Sequence, residues 1–331
     1  MATFKGIKGF TVQSLSSDPT TTNSIGQFYF NSTSNTFKYV QPGGPTAGTW
    51  ASGGALNQAR QQITGCGIQT AALAVGGEGA PPGGLDTAGA FSEEYNGTSW
   101  AEGNDMNTKT AFATALGLQT AALVVGGYNP SSTLATNQSY NGTSYTEDAD
   151  INSARSSLAS SGIQTSGLVF GGGGSPPAGA LTEEFDGSSW TESGDLNTGR
   201  RLLASSGTQT ATLAFGGALS PGTSQSVTEK YDGTSWTEVT DLNTARQALA
   251  GGGTQTDALA FAGHSPNLTN TESWNGTSWT EVAEMATGRR ELGGCGATGS
   301  LDLAFGGNSG SVSTATEEWT IPDFAIKTLS S

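Results

Sequence analysis

The sequence is poor in the residues that most often carry chemistry. One histidine, His264, stands among 331 residues, so a serine–histidine–aspartate triad would have to be built on it, and no nucleophile motif accompanies it. Cys66 and Cys295 are the two cysteines, too few for a disulfide scaffold. Basic residues number 13 against 28 acidic ones, and the net charge of −15 repels phosphate backbones, which argues against nucleic-acid binding. No run is apolar enough to cross a bilayer, so membrane insertion is not expected. The opening MATFKGIKGFTVQSLSS lacks the apolar core of a signal peptide. Asp148 and Asp150 in TEDAD are candidate calcium ligands but lack an oxygen-rich loop around them, and neither a metal nor a cofactor is expected.

What the chain has is glycine, 50 residues of it, with 7 Trp, 7 Tyr and 13 Phe to supply a core. These residues recur in phase. YNGTSW (95–100), YNGTSY (140–145), FDGSSW (185–190), YDGTSW (231–236) and WNGTSW (274–279) place their second aromatics 45, 45, 46 and 43 residues apart. Asn-Gly or Asp-Gly between two strands predicts a tight hairpin with positive φ at both central residues. Apolar runs ending in paired glycine keep the same period: AALAVGG, AALVVGG, SGLVFGG, ATLAFGG and LDLAFGG, with Ala262 replacing the first glycine in DALAFAG. Each copy therefore holds four strands: a of small residues, b ending at Gly-Gly, c ending at the first aromatic, and d beginning at the second.

Four strands in about 45 residues, repeated, predict an all-β fold, a β-propeller. The glycine pair occurs six times and so does the c-strand aromatic, which predicts six blades. The sixth d strand lies upstream, at Trp50 in WASGGALN, so an N-terminal strand is expected to close the ring. The tail FAIKTLSS (324–331) is the rival for that place. The expected organisation is an N-terminal attachment hairpin over 1–45, a propeller over 46–320, and a C-terminal strand or tail over 321–331 packing near the N-terminal segment.

Over residues 50–319 the Gly-Gly, the aromatic that follows it and the Trp beyond resemble kelch repeats, with departures at Tyr145 and Ala262. The resemblance implies a six-bladed kelch-like propeller. Some kelch-like propellers are copper radical oxidases whose site needs two histidines, and this chain has one. Acids such as Glu93, Glu94, Glu183, Glu184, Glu317 and Glu318 sit at repeat positions rather than as one isolated pair, so glycosidase chemistry is not favoured and no enzyme is expected.

Alternating strands put the b–c loops and d–a linkers on one face. The a–b and c–d turns are nearly uniform, whereas the b–c loops differ in every copy. Either those loops are unconstrained or they carry recognition; on the second reading the candidates are Glu78, Asp86, Tyr128, Asn129, His264, Asn267 and Asn308. The linkers carry a cationic register, Arg60, Lys109, Arg155, Arg200, Arg246 and Arg289. It is either a ligand-binding ring or a set of bridges between neighbouring blades, with Asp150, Asp195, Asp241 and Glu284 five residues upstream as acids. Periodicity favours the structural role. Cys66 (TGCG) and Cys295 (GGCG) share one register across the closure; they either form a disulfide, given Cα atoms within about 7 Å, or fill small buried positions.

GQFYFNSTSNTFKYV (26–40) reads as a hairpin, and FTVQSLSS (10–17) matches FAIKTLSS (324–331), so the two ends are expected to pair or pack. Ile25–Asn31 and Phe37–Tyr39 resemble leader segments of tailed-phage virion proteins that precede kelch-like arrays. That resemblance implies a virion-surface protein, a tail fibre, receptor-binding or decoration protein; with no signal peptide read in its opening, it is expected to be made in the host cytoplasm. Its expected partner is a host-surface glycan or another virion protein, with homo-oligomerisation through the N-terminal segment. A cellular kelch scaffold and a carbohydrate-active enzyme are the rivals.

Overall fold

Each copy folds into four antiparallel strands, and the strand periodicity decides their burial. The b strands, such as Ala211–Phe215, are buried at nearly every residue because alternate side chains face two different neighbours. Leu213 and Phe215 pack with Ala258 and Trp274 of the next sheet, while Ala214 packs with Leu168 and Phe170 of the preceding one. A strand covered on both sides must be continuously apolar, and LAF, LVF and LVV supply this.

The computed structural model describes residues 12–79, 89–173, 179–220 and 222–329. Among them the fold is all-β, with helix confined to two short 3-10 turns, Thr22–Ser24 and Pro45–Ala47. Two compact units are formed: one from the described residues before Trp50 and after Thr320, the other from Trp50–Thr320.

In the larger unit six four-stranded sheets follow one another. Sheet one comprises Thr64–Ile68, Ala71–Val75, Ser92–Tyr95 and Trp100–Glu102. Sheets two to five repeat the pattern, with a strands at Thr114–Leu118, Ala159–Ile163, Ala204–Thr208 and Ala250–Gly253. Sheet six joins Gly293–Thr298, Leu301–Phe305 and Thr316–Thr320 to Thr49–Ser52, so the strand bearing Trp50, not the C-terminal one, occupies the last place. The a strands of successive sheets contact one another, and that of sheet six contacts that of sheet one.

The tryptophans tie sheet to sheet. Indole Nε1 of Trp50, Trp100, Trp236 and Trp279 donates to Thr271, Thr316, Thr182 and Thr228 on the preceding sheet. The a–b turns add a second tie. Gln69, Gln119, Gln164, Gln209 and Gln255 each donate to two carbonyls, one on strand b and one on strand c of the preceding sheet.

The c–d turn differs from the expected two-residue hairpin. Tyr95 pairs directly with Trp100, which leaves a four-residue loop, Asn96–Ser99. Only Gly97 has positive φ, at 86°. Asn96 keeps an ordinary backbone because its Oδ1 accepts the amides of Thr98 and Ser99, closing the loop through the side chain.

The smaller unit is one sheet in the order Gln13–Leu15, Phe28–Asn31, Thr36–Pro42, Phe324–Thr328. The two similar end segments do not pair with each other. Gln13–Leu15 lies parallel to Phe28–Asn31 on one edge, and Phe324–Thr328 lies antiparallel to Thr36–Pro42 on the other. The expected hairpin forms between them. Asp18 holds it, accepting from Tyr29, Asn31 and Lys38.

Candidate binding site

The linkers into five of the six sheets end at a buried arginine. Arg60, Arg155, Arg200, Arg246 and Arg289 pair through Nη2 with Glu93, Glu183, Glu229, Glu272 and Glu317 at 2.7–3.0 Å, all almost fully buried. Each Nη1 also donates to two main-chain carbonyls, Gly76 and Phe91 in the case of Arg60. These guanidiniums are consumed by the fold and present no charge to a ligand. Two expectations are corrected here. The bridge ties a linker to the sheet it enters rather than joining neighbouring sheets. The acids five residues upstream are not the partners: Asp195 and Asp241 instead accept the amides of Thr182 and Thr228.

Lys109 does not belong to the set. It is exposed, and the register three residues after Asn107 falls on Thr110, which is buried. Thr110 Oγ1 donates to the carbonyl of Gly126, as the arginines do to their counterparts. Gln138 stands where the other sheets carry glutamate and accepts the amide of Asn107. Both charges of the pair are missing together, so no buried charge is left alone.

Two residues beyond each of the five arginines and beyond Thr110 the chains meet in a ring. Main-chain amides donate from Phe112 to Gln62, Ser157 to Phe112, Leu202 to Ser157, Ala248 to Leu202, Glu291 to Ala248 and Gln62 to Glu291, at 2.8–3.1 Å. The circuit closes. All six residues have φ between 53° and 58°, a left-handed backbone that bulky side chains rarely adopt. Backbone strain held at six equivalent points marks a place of constraint. The six side chains are all different, and together they rim a cavity of about 160 Å³ walled below by the a strands.

Immediately outside this collar lies a second ring. The residue after each glycine pair bridges the linker: Glu78 with Gln61, Tyr128 with Ala111, Gly173 with Ser156, Ala218 with Arg201, His264 with Gln247 and Asn308 with Arg290. The structure brings four of the sequence candidates into one polar network. Asn308 donates to Gln61, Gln61 to Glu78, and Asn267 to the carbonyl of Asn308. Arg290 donates to Asn267 and lies 3.4 Å from His264 Nδ1. Tyr128 and Asn129 lie apart from that network, beside a small recess lined also by Glu78 and Lys109. Asn129 is engaged locally, its Oδ1 accepting the amides of Ser131 and Ser132. Asp86 lies outside the described residues.

Burial raises the Glu291 carboxyl above its ordinary range, opposed by Arg290, by a hydrogen bond from Gln62 and by His264. Burial also raises Glu78, and Glu291 adds to the effect. The two acids therefore belong to one electrostatic neighbourhood.

Other candidates resolve into structure. Glu94, Glu184 and Glu318 accept the hydroxyls of Tyr140, Tyr231 and Tyr95 on adjacent sheets. Cys66 and Cys295 are free, buried thiols. No group of three or more metal-ligating side chains occurs among the described residues. Asp302 is an anomaly: fully buried, with neither carboxylate oxygen hydrogen-bonded. It stands where the other sheets carry Ala72, Ala122, Gly167, Thr212 and Ala258.

The sequence missed the collar because its six members share no residue type. Only the constant offset of two from the arginine register would have flagged them. No protein-family model matches the chain, and no curated protein matches it.

Proposed function

We propose that the chain is a six-bladed kelch-like β-propeller that acts as a non-enzymatic binding protein of a virion surface. Its collar and b–c loop face meet a host-surface glycan. The closed circuit of six main-chain hydrogen bonds, one per sheet, supports the six-bladed reading. The binding reading rests on one observation: identical backbone at six collar positions carries six different side chains around a cavity. The Arg–Glu positions that hold the fold, by contrast, repeat in five of the six sheets.

The virion reading is carried by the N-terminal hairpin and its resemblance to phage leader segments, with the smaller unit as attachment module and a site for homo-oligomerisation. Mass spectrometry and electron microscopy of purified particles test it: the protein is expected as a stoichiometric particle component. A glycan array with the full chain tests the ligand. Failure of both, with a cellular peptide captured instead, would favour the kelch scaffold reading.

A further inference from the structure

The collar is two-sided. In ring order its residues are Gln62, Phe112, Ser157, Leu202, Ala248 and Glu291. Glu291 and Gln62 are neighbours and form a polar edge. Phe112, Leu202 and Ala248 make the remaining rim apolar, broken only by Ser157. Phe112 and Leu202 are half-buried rather than packed away, although each holds a left-handed backbone.

The polar edge offers acceptors. Gln62 gives its amide protons to Glu291, and its Oε1 is shielded from solvent without any hydrogen-bond partner. The Glu291 carboxylate stands beside it, with Glu78 near enough to be felt. Among the described residues no lysine, arginine or histidine lines the cavity. The nearest guanidinium, Arg290, lies 3.8 Å from the Glu291 carboxylate and is engaged with Asn267 and His264 in the outer network, so its charge is already paired. An anionic group entering here would meet the Glu291 carboxylate, whose one neighbouring cation, Arg290, is already shared with it, in a chain of net charge −15. A donor-rich group entering here finds the Glu291 carboxylate as its acceptor. The cavity holds on the order of ten water molecules, room for one sugar ring.

Resting on the glycan reading above, we propose that the collar takes the terminal residue of that glycan, and that this residue is an uncharged or amino pyranose rather than a sialylated or sulfated one. Its hydroxyl or ammonium protons go to Glu291, and its apolar ring face lies against Phe112.

Two variants test this without threatening the fold. Phe112→Gly removes the platform at a φ that glycine adopts freely. Glu291→Ala installs the residue already tolerated at the same backbone geometry in Ala248. The full chain is titrated with methyl glycosides of galactose, glucose, N-acetylglucosamine and glucosamine, and with N-acetylneuraminic acid and galactose 6-sulfate, by saturation-transfer NMR. Neutral or amino sugars are expected to bind and the acidic ones not, with each variant weakening binding at least tenfold at unchanged melting temperature. Binding only of the acidic sugars would overturn the proposal. So would neutral-sugar binding indifferent to both variants, in which case the glycan reading stands and the collar is not its site. Silence of the full chain across the whole glycan array removes both.

Discussion

Arg155 Nη2 donates to Glu183 Oε1 across 2.7 Å with both side chains out of reach of solvent. The same guanidinium satisfies the carbonyls of Gly171 and Leu181 and, through Nε, that of Ser153. Burial pulls Arg155 below its ordinary pKa, and Glu183 opposes that pull. In sheet two the equivalent residues are Thr110 and Gln138, and the sheet forms all the same.

Removing one partner leaves a buried charge unpaired, whereas removing both does not. Arg155→Thr alone is expected to cost about 3–5 kcal/mol. The double variant Arg155→Thr/Glu183→Gln, which transplants the sheet-two pair, is expected to recover a large part of that loss. Chemical denaturation of the two single variants and the double one measures the coupling. An additive result would mean the pair is not a unit.

Gln164 reaches the carbonyls of Ala122 and Tyr140 on the preceding sheet. Gln164→Ala deletes both bonds and is expected to destabilise by about 1–2 kcal/mol. Hydrogen exchange should show faster opening at the Ala122 and Tyr140 strands than elsewhere. A uniform effect across all sheets would refute the local tie.

Asp302 is held in its neutral form by burial, with Asp257 adding repulsion, so its folded-state pKa lies well above the ordinary value. The folded state therefore binds a proton that the unfolded state has released. Its stabilising effect is complete below the ordinary aspartate range, near about 4, and fades as pH rises toward the folded pKa. Asp302→Ala restores the residue found at Ala72, Ala122 and Ala258. At neutral pH it is expected to stabilise by about 1–3 kcal/mol, the gain shrinking toward pH about 4. Denaturation midpoints across that range decide the matter; a loss of stability at neutral pH would contradict it.

Burial pushes the Cys66 thiol up to about 12 and Cys295 upward as well. The thiolate is the reactive form. An aromatic disulfide reagent is expected to label neither cysteine in the native protein and both after unfolding. Rapid native labelling of either would show that it is exposed.

Sequence by itself determined much of the architecture. The period of about 45 residues, the glycine pairs and the aromatic hairpins are local features, and local features repeat in plain text. It also put Arg60, Arg155, Arg200, Arg246 and Arg289 in one register, and Trp50 in the last d-strand place. Three things were decided only by tertiary structure. The arginines took glutamates some 30 residues downstream, because strand c, not the adjacent linker, brings a carboxylate to them. Lys109 yielded to Thr110, because the linker backbone, anchored at Asn107, aims one position later. And Gln62, Phe112, Ser157, Leu202, Ala248 and Glu291, unlike in chemistry and far apart in the chain, became one collar because hydrogen bonds between their main chains, which no side-chain pattern records, hold them together.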